Sequence, residues 1–253
     1  MQDQNRKKSK VIALCGKGGV GKTSISAMII KILIEDPGKK VLAIDADPAI
    51  GLAIALGMKV NKTVDDIRNA LIKRVEKGDS EDRTSTVARL DYEMFSALTE
   101  KENLAFLAIG RPEKEGCYCQ VNHILKDIIA SMADHFDYVV IDGEAGVEQV
   151  NRRVMEKVSH LILVSDASVK GLTVAQTIQD VSRTAIQFEK SGLIINRIQE
   201  EMPSIPQDMS LIGMIPEDNP IRLCDMQGCS ILLLPESSAV QKVRKCITRM
   251  GIM

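Results

Sequence analysis

The chain has 253 residues, of which 45% are hydrophobic, and its formal net charge is −1. This size and apolar content predict a single α/β domain over residues 1–253, with residues 1–9 as a disordered lead. The balanced charge gives no electrostatic case for nucleic acid as a partner, and no run approaches the ~20 apolar residues of a membrane helix. We therefore expect a cytoplasmic protein without membrane association, in which the six cysteines are thiols or metal ligands rather than disulfides.

Apolar runs alternate with segments of helical spacing along the chain. The runs predict strands at residues 11–15, 40–44, 103–109, 137–141, 161–164, 193–195 and 211–215. The spacing predicts helices at residues 23–35, 49–56, 63–75, 90–98, 124–132, 171–188, 219–224 and 240–250. Residues 76–89 are rich in charge and are expected to be solvated or mobile. Continuous apolar runs are typical of strands buried on both faces, so the alternation predicts a doubly wound α/β fold with a mostly parallel sheet.

A glycine-rich segment lies between the first predicted strand and the first predicted helix. Its sequence, Gly-Lys-Gly-Gly-Val-Gly-Lys-Thr at residues 16–23, matches a phosphate-binding loop. Lys22 would contact the β and γ phosphates and the Thr23 hydroxyl would bind Mg²⁺, while the helix N-terminus adds its positive end. The sequence therefore predicts an ATP or ADP site that includes Gly18, Gly19, Val20, Gly21, Lys22, Thr23 and Ser24.

Polar residues also follow the predicted strands, at the edge where parallel sheets bind ligands. Asp45 and Asp47 come after the second strand, and either can be a magnesium or water ligand, or the cap of the next helix. Asp142 ends an apolar run in the manner of a Walker B aspartate, which holds Mg²⁺ through water. Gly146 would then direct its backbone N–H to the γ-phosphate. The Asn196 amide matches the N7 and N6 edge of adenine, although a turn-forming asparagine fits the position equally well.

Lys17 is a second lysine in a loop that needs only one for its own nucleotide. It is either a solvated loop residue or a contact to the phosphate of a neighbouring subunit. The segment Lys-Gly-Gly-x-Gly-Lys-Thr resembles the deviant Walker A class of ATPases, with its MinD-like, ParA-like and nitrogenase-iron-protein-like members. The resemblance implies a homodimer that sandwiches two ATP molecules, in which Lys17 acts across the two-fold axis.

The same resemblance assigns roles to residues outside the loop. It implies that Asp45 contacts Mg²⁺ through water and that Asp47 orients the attacking water. It also implies that Asn196 reads adenine and that the chain at Pro216 and Glu217 passes over the base. Together with the loop, these residues form the predicted ATPase site.

Cys117 and Cys119 lie one residue apart where a predicted loop meets a helix. Both thiolates of such a pair can turn toward one metal ion, but zinc in structural sites is bound by four ligands. A two-fold dimer supplies four thiolates, two from each subunit. The alternative is an incidental pair, with one cysteine in the core and one at the surface. His123 is a further ligand or, more in keeping with its spacing, a surface helix residue.

Three segments narrow the resemblance: Gly-Arg-Pro-Glu at 110–113, Cys-Tyr-Cys at 117–119 and Asp-Gly-Glu-Ala-Gly-Val-Glu at 142–148. With the phosphate loop, they resemble the CooC type, the nickel-insertion accessory ATPases of carbon monoxide dehydrogenase, from about residue 10 to 225. The resemblance implies that Cys117 and Cys119 bind Ni²⁺, or Zn²⁺, at the dimer interface and that carbon monoxide dehydrogenase is the client. Glu144 and the charged residues 76–89 lie outside that family pattern.

Two other functions are compatible with the wider class. An electron carrier like the nitrogenase iron protein holds a [4Fe–4S] cluster, and one of its cysteine ligands lies just past the segment that follows the Walker B aspartate. Residues 142–160 of this chain contain no cysteine. A MinD-like positioning ATPase would use an amphipathic C-terminal helix, and Val240, Val243, Ile247 and Met250 form such a stripe. We expect this stripe to pack on the core of the domain instead.

Overall fold

The computed structural model describes residues 8–77, 83–111, 119–143, 146, 150, 154–198 and 204–253, with the backbone alone at residues 75, 83, 84, 119 and 120. Its strands are β1 (Lys10–Cys15), β2 (Val41–Asp45), β3 (Thr99–Lys101), β4 (Leu104–Ala108), β5 (Tyr138–Asp142), β6 (Lys157–Ser165), β7 (Gln187–Ile198) and β8 (Leu211–Pro216). Its helices are α1 (Lys22–Leu33), α2 (Gly51–Leu56), α3 (Val64–Glu76), α4 (Arg83–Ala97), α5 (Cys119–Ala133), α6 (Val169–Ala185), α7 (Asn219–Gln227) and α8 (Ser238–Arg249), with a 3₁₀ turn at Ile231–Leu233.

Within the described residues the strands form one eight-stranded sheet in the order β3-β4-β2-β5-β1-β6-β7-β8. Every pairing is parallel except that of the edge strand β3 with β4. Parallel strands need crossover connections, and here helices supply them on both faces of the sheet. The predicted doubly wound, mostly parallel α/β fold is confirmed.

The sheet separates two hydrophobic clusters, which explains the continuous apolar runs. Successive side chains of a strand point to opposite faces, so Val11 and Ala13 of β1 join one cluster while Ile12 and Leu14 join the other. The first cluster includes buried residues of α3, α4, α5 and α6, and the second includes those of α1, α2, α7 and α8. Because both faces are covered, no position inside β1 tolerates a solvated polar side chain.

Several predicted boundaries were wrong. α4 begins at Arg83 rather than residue 90, so part of the segment expected to be solvated or mobile is helical. Leu90 and Met94, which are 1% and 0% exposed, bury one face of this helix although its other positions are polar. The strand β3 was not predicted, because three residues with two exposed side chains carry little apolar pattern. The predicted helix over 171–188 ends at Ala185, and β7 starts at Gln187.

The amphipathic stripe of α8 packs on the domain, as expected. Val240, Val243, Ile247 and Met250 are all at most 4% exposed, and α8 contacts α1 and β8. Beyond the last turn, the Met250 carbonyl lies 2.9 Å from Lys190 Nζ, which donates a hydrogen bond to it. Across the described ranges, no helix combines the length and apolar character needed to cross a bilayer.

Candidate functional site

The phosphate loop joins β1 to α1 with a backbone that requires glycine. Gly21 has φ of +90° and precedes the first residue of α1. A Cβ built at Gly21 would overlap the Asn196 amide nitrogen, so both the dihedral angle and the packing exclude a side chain. Among the described residues no side chain caps α1, so its first N–H groups are available for an anion.

Lys22 is folded back onto this loop. It is 8% exposed, and its ammonium group donates hydrogen bonds to the carbonyl oxygens of Gly16 at 3.1 Å and Lys17 at 3.3 Å. These carbonyls hold the charge beside the concave side of the loop, where a phosphate oxygen offers a stronger, charged acceptor. The geometry suits a lysine that moves from backbone carbonyls to a phosphate.

Two neighbouring cavities open around the loop. The larger, of about 520 Å³, is lined by Gly18, Gly19, Gly21, Lys22, Thr23, Ser24, Asp47, Gly51, Ile54, Ala55, Arg197, Cys224, Asp225, Gly228, Cys229 and Ile231. The smaller, of about 230 Å³, is lined by Ser24, Met28, Asn196, Arg197, Ile215, Pro216, Glu217, Asp218, Ile221, Arg222, Asp225 and Ala239. The first cavity surrounds the predicted phosphate site and the second contains the predicted base contacts.

Most residues predicted for nucleotide binding therefore come together, with three exceptions. Val20 is 4% exposed and contributes its carbonyl rather than its side chain. Lys17 is half-buried and belongs to the lining of neither cavity. Gly146 is half-buried, and its neighbours, including Glu144, fall outside the described residues.

Asp45 and Asp142 lie side by side at the carboxyl ends of β2 and β5, where they are register partners. They are 0% and 1% exposed. Burial, together with the neighbouring Asp142 carboxylate, raises the pKa of Asp45 to about 7. Burial likewise raises the pKa of Asp142 to about 6, while hydrogen bonds from Thr23 and Ser26 oppose the rise. Two buried carboxylates in this proximity create a site that attracts a cation.

Asp45 also acts as the cap that the sequence left open. Its Oδ1 accepts a hydrogen bond from Asp47 N at 3.1 Å, and its Oδ2 accepts one from Leu52 N at 2.9 Å. Asp47 Oδ1 in turn accepts from Ala49 N at 2.8 Å. The two aspartates thus fix the backbone of residues 45–52, and a structural and a functional role coexist in Asp45.

The two oxygens of Asp142 differ in a way that fits Mg²⁺ in this site. Oδ1 accepts a hydrogen bond of 3.1 Å from Ser26 Oγ. Oδ2 is buried and, among the described residues, has no hydrogen-bond partner. A buried acceptor without a partner calls for an unseen donor, such as a water of a hydrated cation. Thr23, whose hydroxyl also interacts with Asp142, lines the cavity beside it.

Three features of this region were not found from the sequence. Ser26, which is fully buried, donates a hydrogen bond to Asp142. The sequence signal for it was a serine among the apolar residues of α1. Arg197 donates from Nη1 to Gly19 O at 3.2 Å, with its own backbone at φ of +56°. Cys224 and Cys229 form a disulfide in the cavity wall, so the expectation of thiols or metal ligands was wrong for this pair.

The predicted metal cysteines lie at the margin of the described structure. Cys119 is the first residue of α5, and Cys117 falls outside the described residues. In the remaining, described part, no group of three or more His, Cys, Asp or Glu side chains is placed to hold a metal ion. His123 is an exposed helix residue whose Nδ1 lies 3.6 Å from Asp127 Oδ1. Ile109, which directly follows β4, donates a hydrogen bond from its N–H to Asp45 O at 2.9 Å.

Residues 9–191 match the AAA domain family. The chain belongs to this family of P-loop ATPases. It is 36% identical over 242 residues to an ATP-binding protein of Methanocaldococcus jannaschii, covering 92% of this chain and 94% of the relative. It is 27% identical over 233 residues to the carbon monoxide dehydrogenase accessory protein CooC of Rhodospirillum rubrum, covering 87% of this chain and 88% of that protein.

Solved structures of other P-loop ATPases share the fold. The septum site-determining protein MinD of Pyrococcus horikoshii, solved in complex with Mg-ADP, is 24% identical, with a TM-score of 0.66 and 96% of each chain covered. MinD of Aquifex aeolicus in a MinC:MinD complex is 21% identical, with a TM-score of 0.69. The doubly wound fold is therefore shared with the MinD proteins.

Proposed function

We propose that this chain is a cytoplasmic, homodimeric ATPase that carries a metal ion, Ni²⁺ in preference to Zn²⁺, to carbon monoxide dehydrogenase during its maturation. The observation that carries this proposal is Cys117-Tyr118-Cys119, a two-thiolate motif in a chain similar over 87% of its length to an accessory protein of that enzyme. The Cys-x-Cys pair distinguishes metal delivery from the other activities of the class, because phosphate loops are common to all of them.

ATP or ADP with Mg²⁺ would occupy the two cavities beside the phosphate loop. The uncapped start of α1 and Lys22 suit the phosphates, and the cavity with Asn196, Pro216 and Glu217 suits the base. Thr23, the free oxygen of Asp142 and Asp45 would hold the magnesium ion and its waters. Mg²⁺ held by these residues would neutralise part of the charge on the nucleotide phosphates.

The chain's own side chains would then position the attack on the γ-phosphate. Asp47 lines the larger cavity with one oxygen held by Ala49 N, which leaves the other to orient a water molecule. Lys17 lines neither cavity of its own subunit, which supports a role on the nucleotide of the partner. An ammonium brought to the transferring phosphoryl group stabilises its charge in the transition state.

ATP hydrolysis would be coupled to the metal-binding cysteines through the carboxyl ends of the neighbouring strands β2 and β4. Asp45 lies on the segment 45–50, and its carbonyl oxygen accepts a hydrogen bond from Ile109 N, eight residues before Cys117 in the sequence. α5 is in turn tied to α3 by Arg68 Nε, which donates to Asn122 Oδ1 at 2.9 Å. A shift of the nucleotide-contacting segment would therefore be transmitted through Ile109 along the chain towards Cys117 and Cys119.

Metal titration tests the cargo. Ni²⁺ is added to the reduced dimer while thiolate-to-nickel charge-transfer absorption is recorded, and we expect one ion per dimer. The Cys117→Ser, Cys119→Ser double variant should lose that ion and keep ADP binding. The control is Cys246→Ala, which removes a buried core thiol and should leave the stoichiometry unchanged. An unchanged stoichiometry in the double variant would end the metal assignment.

Dimer formation is tested separately at Lys17. Lys17→Ala should keep ADP affinity, because the side chain is outside the cavity lining, but lose ATP-dependent dimerisation and turnover. Analytical ultracentrifugation with ATP and Mg²⁺ gives the first readout and phosphate release the second. Turnover that persists in the variant would contradict the action of Lys17 across the interface.

A further inference from the structure

The wall of the larger cavity contains a cysteine pair that the proposed ATPase mechanism does not use. Cys224 lies in α7, and Cys229 follows the residue that ends the helix. Gly228 adopts φ of +65°, which turns the chain so that Cys229 N donates to Cys224 O at 3.0 Å. The two Cα atoms are 4.9 Å apart, within the range that a disulfide spans, and the sulfur atoms are bonded.

This pair faces the same cavity as the phosphate loop. Cys224 and Cys229 line it together with Lys22 and Thr23. Gly228, between the two cysteines, lies close to α2, the helix that follows Asp45 and Asp47. A Cβ built at Gly228 would be 3.8 Å from Ile54 of that helix. Whether the pair is a disulfide or a dithiol therefore affects the surface that a nucleotide in this cavity would contact.

The two cysteines also differ in access. Cys224 is 2% exposed, whereas Cys229 is half-buried. The free cysteines of the described chain, Cys15 and Cys246, are 0% and 1% exposed, and burial raises the pKa of their thiols to about 12 and about 11. A thiol with so high a pKa is a poor nucleophile. Among these four sulfurs, Cys229 is the one that a small oxidant reaches.

We propose that Cys224 and Cys229 form a redox-active pair whose disulfide strengthens nucleotide binding in the cavity that they line. The oxidant is a low-molecular-weight disulfide of the glutathione type. The Cys229 thiolate attacks one sulfur of this disulfide, forming a mixed disulfide and releasing one thiol. The Cys224 thiolate then attacks Cys229 Sγ, which forms the internal disulfide and releases the second thiol. Two protein thiols are oxidised and one external disulfide is reduced to two thiols.

The direction of the effect follows from pre-organisation. The disulfide closes a ring over residues 224–229 and so restricts the segment that leads from α7 to the 3₁₀ turn. A wall that is already ordered costs less conformational entropy when a nucleotide binds. By reciprocity, a bound nucleotide must favour the disulfide over the dithiol by the same factor. This inference rests on the proposed placement of the nucleotide phosphates in the larger cavity.

The test uses the full chain with Cys117→Ser and Cys119→Ser, so that the two predicted metal thiolates cannot react with glutathione. The affinity of the protein for a fluorescent ADP analogue is measured after equilibration with oxidised or with reduced glutathione. The free thiols are counted by alkylation and peptide mass spectrometry. We expect one disulfide, at 224–229, and at least threefold tighter ADP binding in the oxidised form. Saturating ADP should shift the ratio of disulfide to dithiol in a glutathione buffer by the same factor.

The matched control is Cys224→Ser with Cys229→Ser in the same background, whose ADP affinity should not respond to the glutathione ratio. The inference is overturned if the pair stays reduced with oxidised glutathione, or if both forms bind ADP equally. Failure of the proposed function is a different result, since a chain that binds no ADP in either form, or no Ni²⁺ with Cys117 and Cys119 intact, fails before the redox state matters.

Discussion

The Asn196 side-chain amide donates a hydrogen bond of 2.8 Å to the carbonyl oxygen of Val20. This bond joins the end of β7 to the middle of the phosphate loop, although the two residues are far apart in sequence. Asn196 is 7% exposed, so the bond is shielded from competing water. The residue predicted to read adenine therefore also holds the loop that binds phosphate.

Replacing this amide donor tests its hold on the loop. Asn196→Asp keeps the shape but sets a carboxylate oxygen against the Val20 carbonyl, and we expect a loss of about 2–3 kcal/mol in the free energy of unfolding. Urea unfolding without nucleotide separates this effect from recognition of the base. Arg197→Gln is the control, because its exposed bond to Gly19 O should contribute about 0.5 kcal/mol or less. Equal losses in the two variants would contradict the role of Asn196.

Gly21 should be irreplaceable for a reason that can be separated from phosphate binding. Gly21→Ala places a Cβ at φ of +90° and against the Asn196 amide, so we expect a loss of about 3 kcal/mol in the free energy of unfolding. Gly18→Ala is the matched control, because a Cβ there meets no atom within 4 Å. Its free energy of unfolding should stay within about 0.5 kcal/mol of the wild type.

A double-mutant cycle identifies the collision at Gly21. Asn196→Ala removes the amide that the new Cβ would meet, so the Gly21→Ala substitution should cost less in that background. A Gly21→Ala variant as stable as Gly18→Ala would show that the loop relaxes without loss. An additive cycle would assign the loss to the dihedral angle alone.

The sequence predicted those parts of the fold and site in which local chemistry dictates position. Apolar runs located the buried strands, because burial on both faces leaves a contiguous signature. The loop residues follow from their spacing within one strand–loop–helix unit, and Asp142 follows from its position at the end of an apolar run. By contrast, the Asn196 bond to Val20 and the support of Asp142 by Ser26 depend on which strands become neighbours. No pattern within one segment reveals such long-range pairs.

The disulfide between Cys224 and Cys229 was missed for the same reason, because it too depends on how the chain folds. Cys224 and Cys229 are five residues apart, and the sequence predicted thiols or metal ligands rather than the disulfide that they form. Their proximity depends on the left-handed turn at Gly228, which closes α7. A glycine at that position indicates the end of a helix, but it does not reveal that the two cysteines lie together in the wall of a cavity.

The hairpin between β3 and β4 gives a prediction about stability alone. Glu102 adopts φ of +55° in the turn and is exposed. A non-glycine residue in this region is strained, and asparagine tolerates it better. Glu102→Asn should therefore raise the free energy of unfolding by about 0.5 kcal/mol. Thermal unfolding measures the change, with Glu102→Gln as the charge-matched control that should gain nothing. A gain shared by both variants would point to charge rather than backbone strain.

The last prediction concerns pH and the buried pair Asp45 and Asp142. Burial raises their pKa values to about 7 and about 6, above the ordinary value of 3.8. Between about pH 4 and pH 7 the folded protein holds protons that the unfolded chain releases, so the free energy of unfolding falls as pH rises through this window. Without Mg²⁺ and nucleotide, the protein should be more stable at pH 5 than at pH 8.

Asp142→Asn removes one of the two buried charges and keeps an acceptor for Ser26 Oγ. The variant should match the wild type near pH 5, lose stability less steeply with rising pH, and exceed the wild type by about 2 kcal/mol at pH 8. Urea unfolding at pH 5, 6, 7 and 8 gives the profiles. A variant less stable than the wild type at pH 8 would show that the Asp142 carboxylate is satisfied without a cation. Added Mg-ADP should restore the stability of the wild type at pH 8 and have little effect on Asp142→Asn, because only the wild type offers the free carboxylate oxygen.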